Sequence, residues 1–267
     1  MYKNQTQREK YNDVYRENEY KFDVPDLKIT DGKDLTGKKI LILGAGTARD
    51  VRYLLKGNDV SAVDFSKTSV DFLKELGIHA VEADLNEPLS YKDGEFDLII
   101  AKDILEHLDN PAILAGEIFR MLSANGYAVI NVPNHFFIPM RLRILLGHNM
   151  IWKTIDHDHT KDFKEWDYMH KIFFTWNGFQ EFLKLNKLKI TKTFWDFGTL
   201  NHYSQPELVF EFIRNRKEKR SVLLSKILEG LWYFLNFVFP SKLRSYLVSL
   251  SPSLLCASFY VWVKHSK

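Results

Sequence analysis

The stretch Lys39-Ile-Leu-Ile-Leu-Gly-Ala-Gly-Thr-Ala-Arg-Asp50 constrains the fold of this chain more than any other. Ile40 to Leu43 is an unbroken apolar run of strand length, which reads as a strand buried on both faces. It stops at Gly44-Ala45-Gly46, and a helical pattern is expected from Thr47. Glycine suits that corner because the backbone must turn sharply and approach a ligand without a Cβ in the way. The helix that follows would aim free N–H groups at the same spot. Twenty residues past Gly44 a second apolar run, Val60 to Val63, ends at Asp64, placed to take both hydroxyls of a ribose. The unit reads as the nucleoside-binding half of a doubly wound sheet.

A dinucleotide fingerprint needs a third glycine, and Arg49 stands at its position, which disfavours a nicotinamide oxidoreductase. Two further segments continue the pattern. His79-Ala-Val-Glu-Ala-Asp84 is a third short strand ending in an acid. Phe96-Asp-Leu-Ile-Ile-Ala-Lys-Asp103 is a fourth, followed by Ile104-Leu-Glu-His-Leu108. In these residues, from about Lys39 to about Leu188 plus the final strand, the chain resembles the class I S-adenosylmethionine-dependent methyltransferases. The likeness is greatest to the small-molecule branch related to ubiquinone-type O-methyltransferases. It implies S-adenosylmethionine as cofactor and a role for each matching residue. Gly44 and Gly46 would pass under the methionine half, and Asp64 would hold the ribose. Phe65 would flank the adenine, and Asp84, with Leu85 beside it, would accept from the adenine amino group. Asp103 would sit beside the transferable methyl, and Tyr11 or Tyr20 of the N-terminal segment would cover the cofactor. Two positions depart from the pattern: Ile42 replaces an acid, and Ala48 a glycine.

The alternation of short strands and helices (about 39–44, 47–56, 59–64, 67–76, 79–83, 96–101, 111–123 and 127–132) dictates a parallel sheet with helices on both faces. With the resemblance, the expected fold is α/β: a doubly wound, seven-stranded, mostly parallel Rossmann-like sheet whose last strand, about Ala257 to Lys264, returns antiparallel. Residues 1–35 read as a lid segment, and 36–205 with 253–267 as the catalytic domain. Within it, 135–170 lacks a clean period and reads as an acceptor-binding insertion. Residues 206–252 form a helical elaboration. It opens with five basic residues in seven at Arg214 to Arg220 and continues in a wide apolar stripe from Val222 to Phe239. Lys226 and Glu229 argue against a spanning helix. An interfacial helix on an anionic membrane is expected instead, with packing on the core or in a homodimer as the alternative.

Composition narrows the partners. With 37 basic and 34 acidic residues the net charge is +3, so a nucleic-acid footprint is absent. The single Cys256 leaves no disulfide framework or zinc cluster and fits a reducing compartment. Met1 to Lys10 is polar and has no signal-peptide core, so a cytoplasmic protein, peripheral on the inner membrane face, is expected.

Methyl transfer to oxygen needs a positioned acceptor and a general base with a pKa near working pH. His107, four residues past Asp103, is the leading candidate, and His170 ahead of Phe173-Phe-Thr-Trp176 the second. Asp156-His157-Asp158-His159 invites a metal, but alternate loop residues rarely converge, so no metal is assigned. The expected function is methylation of a hydroxyl on a lipid-linked sugar or other amphiphilic molecule. A quinone-precursor O-methyltransferase, an N-methyltransferase and a non-catalytic cofactor-binding subunit docked on a partner are the alternatives.

Overall fold

A computed structural model describes residues 25–147, 170–195, 230 and 241–266. Strands β1 (Lys39–Leu43), β2 (Asp59–Asp64), β3 (His79–Glu82), β4 (Phe96–Lys102), β5 (Leu122–Pro133), β6 (Leu188–Phe194) and β7 (Ser258–His265) form one sheet in the order β3-β2-β1-β4-β5-β7-β6. The first five run parallel, and β7 lies antiparallel between β5 and β6. The strand order reverses between β1 and β4, where an open α/β sheet offers a crevice at its carboxyl edge.

The apolar runs alternate between two cores because successive side chains leave opposite faces of a strand. Leu41, Leu43, Ile99 and Ile130 pack on one face with Leu114 and Ile118 of α2 (Pro111–Met121) and Phe179 and Leu183 of α3 (Trp176–Leu185). Ile40, Ile42, Ala62 and Ile100 pack on the other with Val70 and Leu73 of α1 (Lys67–Glu75) and with Ile29. Ile42 is therefore a core residue in the place where an acid was the expected pattern. Capping sets the helix starts. The Ser66 hydroxyl accepts from the Ser69 N–H, Asn110 from Ala112, and Thr175 from Gly178.

Two local expectations need correction. No α-helix covers 47–56; a single 3-10 turn, Arg52–Leu55, stands there. Ala48 has φ +51, so it lies in the left-handed region and not in a helix, and the chain cannot start a regular helix at Thr47. The helix expected over 111–123 ends at Met121, and β5 begins at Leu122 and runs through Asn125-Gly126. A register shift against β4 between Phe96 and Leu98 accommodates that extension. In α4 (Ser241–Leu250), Leu243, Tyr246, Leu247 and Leu250 are exposed and Val248 enters the core.

The described part of the N-terminal segment packs on the sheet through Ile29, with the Tyr127 hydroxyl donating to the Ile29 carbonyl at 3.0 Å and the Trp262 indole N–H to the Lys28 carbonyl at 3.0 Å. Tyr11 and Tyr20, the Asp156–His159 loop, the basic run 214–220 and all but one residue of 222–239 lie outside the described residues. Among the described residues no helix is long and apolar enough to cross a membrane.

Candidate active site

A cavity of about 220 Å³ opens at the carboxyl ends of β1, β2 and β4 and is lined by Gly44, Asp64, Phe65, Asp84, Leu85, Asn86, Asp103, Ile104, His107 and Leu108. Its floor depends on Gly44. That residue has φ +66, and a Cβ built on it would lie 2.7 Å from Ile104 Cδ1. Backbone conformation and close approach both demand glycine there.

Asp64 is buried at the end of β2, with 5% of its surface exposed. One carboxyl oxygen accepts from the Gly46 N–H at 2.7 Å, the other from the Ser66 N–H at 2.8 Å. Burial pushes its pKa above the ordinary carboxylate value, and the backbone donors only partly offset that rise. Asp84 accepts from both the backbone N–H and the side-chain amide of Asn86 at 2.9 Å. Asn86 in turn accepts from the Asp109 N–H at 2.8 Å, tying the β3 and β4 loops together.

Asp103 follows β4 in the left-handed region, with φ +51. A non-glycine residue there carries local strain, and Asn131 of β5 holds it twice. The Asp103 N–H donates to the Asn131 carbonyl at 2.9 Å, and the Asn131 amide donates to the Asp103 carboxyl at 2.7 Å. Burial again raises the carboxyl's pKa, opposed by the nearby charge of Lys102. Lys102 itself points the other way, bridging Asp26 and Asp50, with Tyr260 donating to Asp26 at 3.1 Å.

The chain turns from Asp103 into a 3-10 turn, Leu105–His107, whose last residue lines the cavity. The Glu106 carbonyl accepts from the N–H groups of Lys171 (2.7 Å) and Ile172 (3.1 Å), and Lys171 pairs with Asp109 at 2.7 Å. This stitching sets His170 against His107, with ring centroids 4.6 Å apart. His135, just past β5, closes the row, its Nε2 lying 2.7 Å from His170 Nδ1.

Among the described lining residues there are three carboxyl groups and no lysine or arginine. Such a lining suits a ligand that donates hydrogen bonds and carries positive charge, and it disfavours a pyrophosphate.

Residues 41–130 match the family model described as "Methyltransferase domain". The ubiquinone biosynthesis O-methyltransferase of Psychrobacter cryohalolentis is 26% identical over 142 residues, which is 48% of this chain and 54% of that protein. An uncharacterised protein of Methanocaldococcus jannaschii is 31% identical over 126 residues, 46% of this chain and 58% of that protein. The chain thus spans just over half the length of these relatives. Of solved structures, a SAM-dependent methyltransferase from Methanosarcina mazei shares the fold with a TM-score of 0.50 at 17% identity, covering 64% of this chain and 88% of that one. A complex of the Haloferax volcanii Trm112 methyltransferase activator with a methyltransferase also scores 0.50, at 11% identity, covering 87% and 84%.

Over residues 41–130 the chain is therefore similar to a methyltransferase domain, and its sheet shares the fold of solved S-adenosylmethionine-dependent methyltransferases. The methyltransferase domain brings Gly44, Asp64, Phe65, Asp84, Leu85, Asp103 and His107 to one cavity. Gly46 is not among the lining residues; its N–H is turned to Asp64 and its carbonyl to the Ser69 hydroxyl at 2.6 Å. His170 touches the cavity through His107 and does not line it. Sequence reasoning missed Asn86, Asn131 and His135. Asn86 carried a weak signal, two residues past an assigned acid. Asn131 and His135 carried none, because they stand on β5 and just past it and act across the sheet edge on residues 28 and 35 positions away.

Proposed function

We propose that the chain transfers a methyl group from S-adenosylmethionine to an oxygen of a small acceptor, with His107 and His170 receiving the acceptor's proton. The observation that carries this reading is the cavity itself: among its described lining residues, three carboxyl groups and no lysine or arginine, with a glycine floor and a histidine pair at one side. When bound, the cofactor supplies an electrophilic methyl group on a positively charged sulfur. Asp64 would hold the ribose hydroxyls and Asp84 the adenine amino group, with Phe65 and Leu85 against the ring. Gly44 would admit the methionine half, and Asp103 would face the positive charge. The Gly44 floor fits this group, since a Cβ would close the cradle against Ile104.

An oxygen acceptor is supported by the matched ubiquinone biosynthesis O-methyltransferases and by the histidine pair. A phenolic quinone precursor suits that pair better than a sugar hydroxyl. A phenol ionises near pH 10, within reach of an imidazole base, whereas an aliphatic hydroxyl is several units less acidic. The lipid-linked sugar reading rested on the amphipathic stretch 222–239, and no comparison supports it. A second reading, a cofactor-binding subunit docked on a partner, draws support from the fold shared with the activator complex.

Calorimetric titration with S-adenosylmethionine, S-adenosylhomocysteine and NAD, followed by an S-adenosylhomocysteine release assay with a catechol acceptor, tests the proposal. Micromolar binding of the first two with no binding of NAD is expected. No binding of either sulfur compound would overturn it. Binding without turnover on catechols, phenols, sugars or amines would favour the subunit reading.

A further inference from the structure

We propose that Asn131 is a positioning residue for Asp103, and that the pair sets the site's preference for the positively charged cofactor over the neutral product of transfer. The inference rests on the methyltransferase reading and deepens it by naming what tells S-adenosylmethionine from S-adenosylhomocysteine.

The sheet order lays the lining acids out in a line. Asp84 follows β3, Asp64 closes β2, Gly44 follows β1 and Asp103 follows β4, and these strands are neighbours in that order. A nucleoside held at Asp64 and Asp84 leaves the β4 end, past Gly44, to the rest of the ligand. Asp103 is the acid at that end. It is exposed and lines the cavity, whereas Asn131 is 6% exposed and is not among the lining residues. A ligand can therefore meet the carboxyl directly and the amide only through it.

Among the described residues, the Asn131 amide is the only hydrogen-bond partner of the Asp103 carboxyl, at 2.7 Å, and the Asn131 carbonyl takes the Asp103 N–H at 2.9 Å. Lys102, the preceding residue, is engaged by Asp26 and Asp50. The two bonds from Asn131 do different things. The backbone bond keeps Asp103 at φ +51 whatever side chain stands at 131. The side-chain bond aims the carboxyl, and an N–H donor favours its charged form. The other end of the amide shows that packing alone does not account for it. Asn131 Oδ1 is buried and has no hydrogen-bond partner among the described residues. An unpaired buried acceptor is costly, and a leucine of similar size would avoid it. The amide contributes here through its donor end, and that end is spent on Asp103.

The consequence for ligands follows from charge. The cofactor has a positive sulfur and its demethylated product a neutral one, because the electron pair of the broken sulfur–carbon bond stays on sulfur. Apart from the methyl group the two molecules are otherwise the same. A carboxylate held toward the sulfur attracts the first and offers nothing to the second, and no lysine or arginine among the described lining residues offsets it. A carboxyl left to turn away or to take up a proton loses that distinction. Transfer of the methyl group thus removes an attraction that Asn131 maintains, which favours exchange of product for fresh cofactor.

Calorimetric titration of the full-length protein with S-adenosylmethionine and S-adenosylhomocysteine reads the ratio of the two affinities. Asn131→Leu should shift that ratio against S-adenosylmethionine by about fivefold or more, the scale of one partly exposed charge contact. Its ligand-free Tm should stay close to native, since the backbone bond to Asp103 remains and the unpaired Oδ1 is gone. Asp103→Asn should shift the ratio at least as far. Adding Asn131→Leu to Asp103→Asn should shift it no further, because Asn131 acts through the carboxylate. If Asn131→Leu fails to fold, Asn131→Ala, which adds no bulk, takes its place in the same cycle. Equal weakening of both ligands by the substitution at 131, an unmoved ratio, or effects at 131 and 103 that simply add would each overturn the inference. The methyltransferase reading fails in a different way, through a native protein that binds neither ligand.

Discussion

Gly44→Ala isolates what the cavity floor requires. Two costs arise, and the structure separates them. The first is conformational: at φ +66 an L-residue loses about 1–2 kcal/mol. Ala48, at φ +51 in the same loop, shows that the chain tolerates an alanine in this region. The second is steric, since the new Cβ would lie 2.7 Å from Ile104 Cδ1 and 3.0 Å from its Cγ1. Ile104 lines the cavity, so its displacement narrows the ligand's space; such overpacking costs about 1–3 kcal/mol. Together the two give about 2–5 kcal/mol, or about 4–20 °C in Tm for a domain of this size. Binding of S-adenosylhomocysteine should weaken at least tenfold. In the double variant Gly44→Ala with Ile104→Ala, most of the steric part should be relieved, only the contact with residue 104 Cβ at 3.3 Å remaining, while the conformational part persists. Thermal melts and calorimetry on all four proteins of the cycle read both. A Gly44→Ala protein with native Tm and native affinity would refute the assignment of the floor.

Other outcomes follow from the same geometry. Asp64→Asn turns an amide donor toward the Gly46 or Ser66 N–H, so it should cost about 1–3 kcal/mol in chemical denaturation and weaken cofactor binding; unchanged binding would remove Asp64 from the site. Burial holds the Asp64 and Asp103 carboxyls above their ordinary values, whereas a bound cation favours their charged forms. Affinity for S-adenosylmethionine should therefore fall on acidification at a higher pH than exposed carboxylates would give, and a flat calorimetric profile down to pH 4 would contradict this. Lys102→Met leaves Asp26 and Asp50 without their cation and should lower stability by about 3–5 kcal/mol in urea melts. Although burial opposes the charge of Asp26, Lys102 and Lys28 hold its pKa below the ordinary value. Its contribution is therefore present above the unfolded value and lost as pH falls through the lowered folded one; in Lys102→Met, where burial is no longer opposed by that cation, the acid-side loss should shrink.

How much was legible before folding differs by residue, and the reason is range. Ile40 to Leu43, Val60 to Val63 and Leu98 to Ala101 announced buried parallel strands because each run is apolar on both faces, and the structure buries them in two cores. Gly44, Asp64, Asp84, Asp103 and His107 were readable because each follows a strand end at short spacing, and in a parallel sheet strand ends gather at one edge. The helix expected after Gly46 failed because local propensity favoured it, while the conformation of Ala48 and the close packing of Val51 and Leu54 on the sheet set a 3-10 turn instead. Asn131 and His135 were unreadable, since neither sits at a recognisable spacing from what it holds.

By itself, then, the sequence determined the order of strands and helices, the glycine corner and the acids that follow it, because periodicity and short-range spacing are local properties of a chain. Only the tertiary structure decided that Asp103 is held by Asn131, that Gly46 turns inward to Asp64, and that three histidines from separate segments form one row. Those contacts depend on the register between β4, β5 and β7 and on where the loops are pinned. That register is set by packing across the whole sheet, which no local pattern encodes.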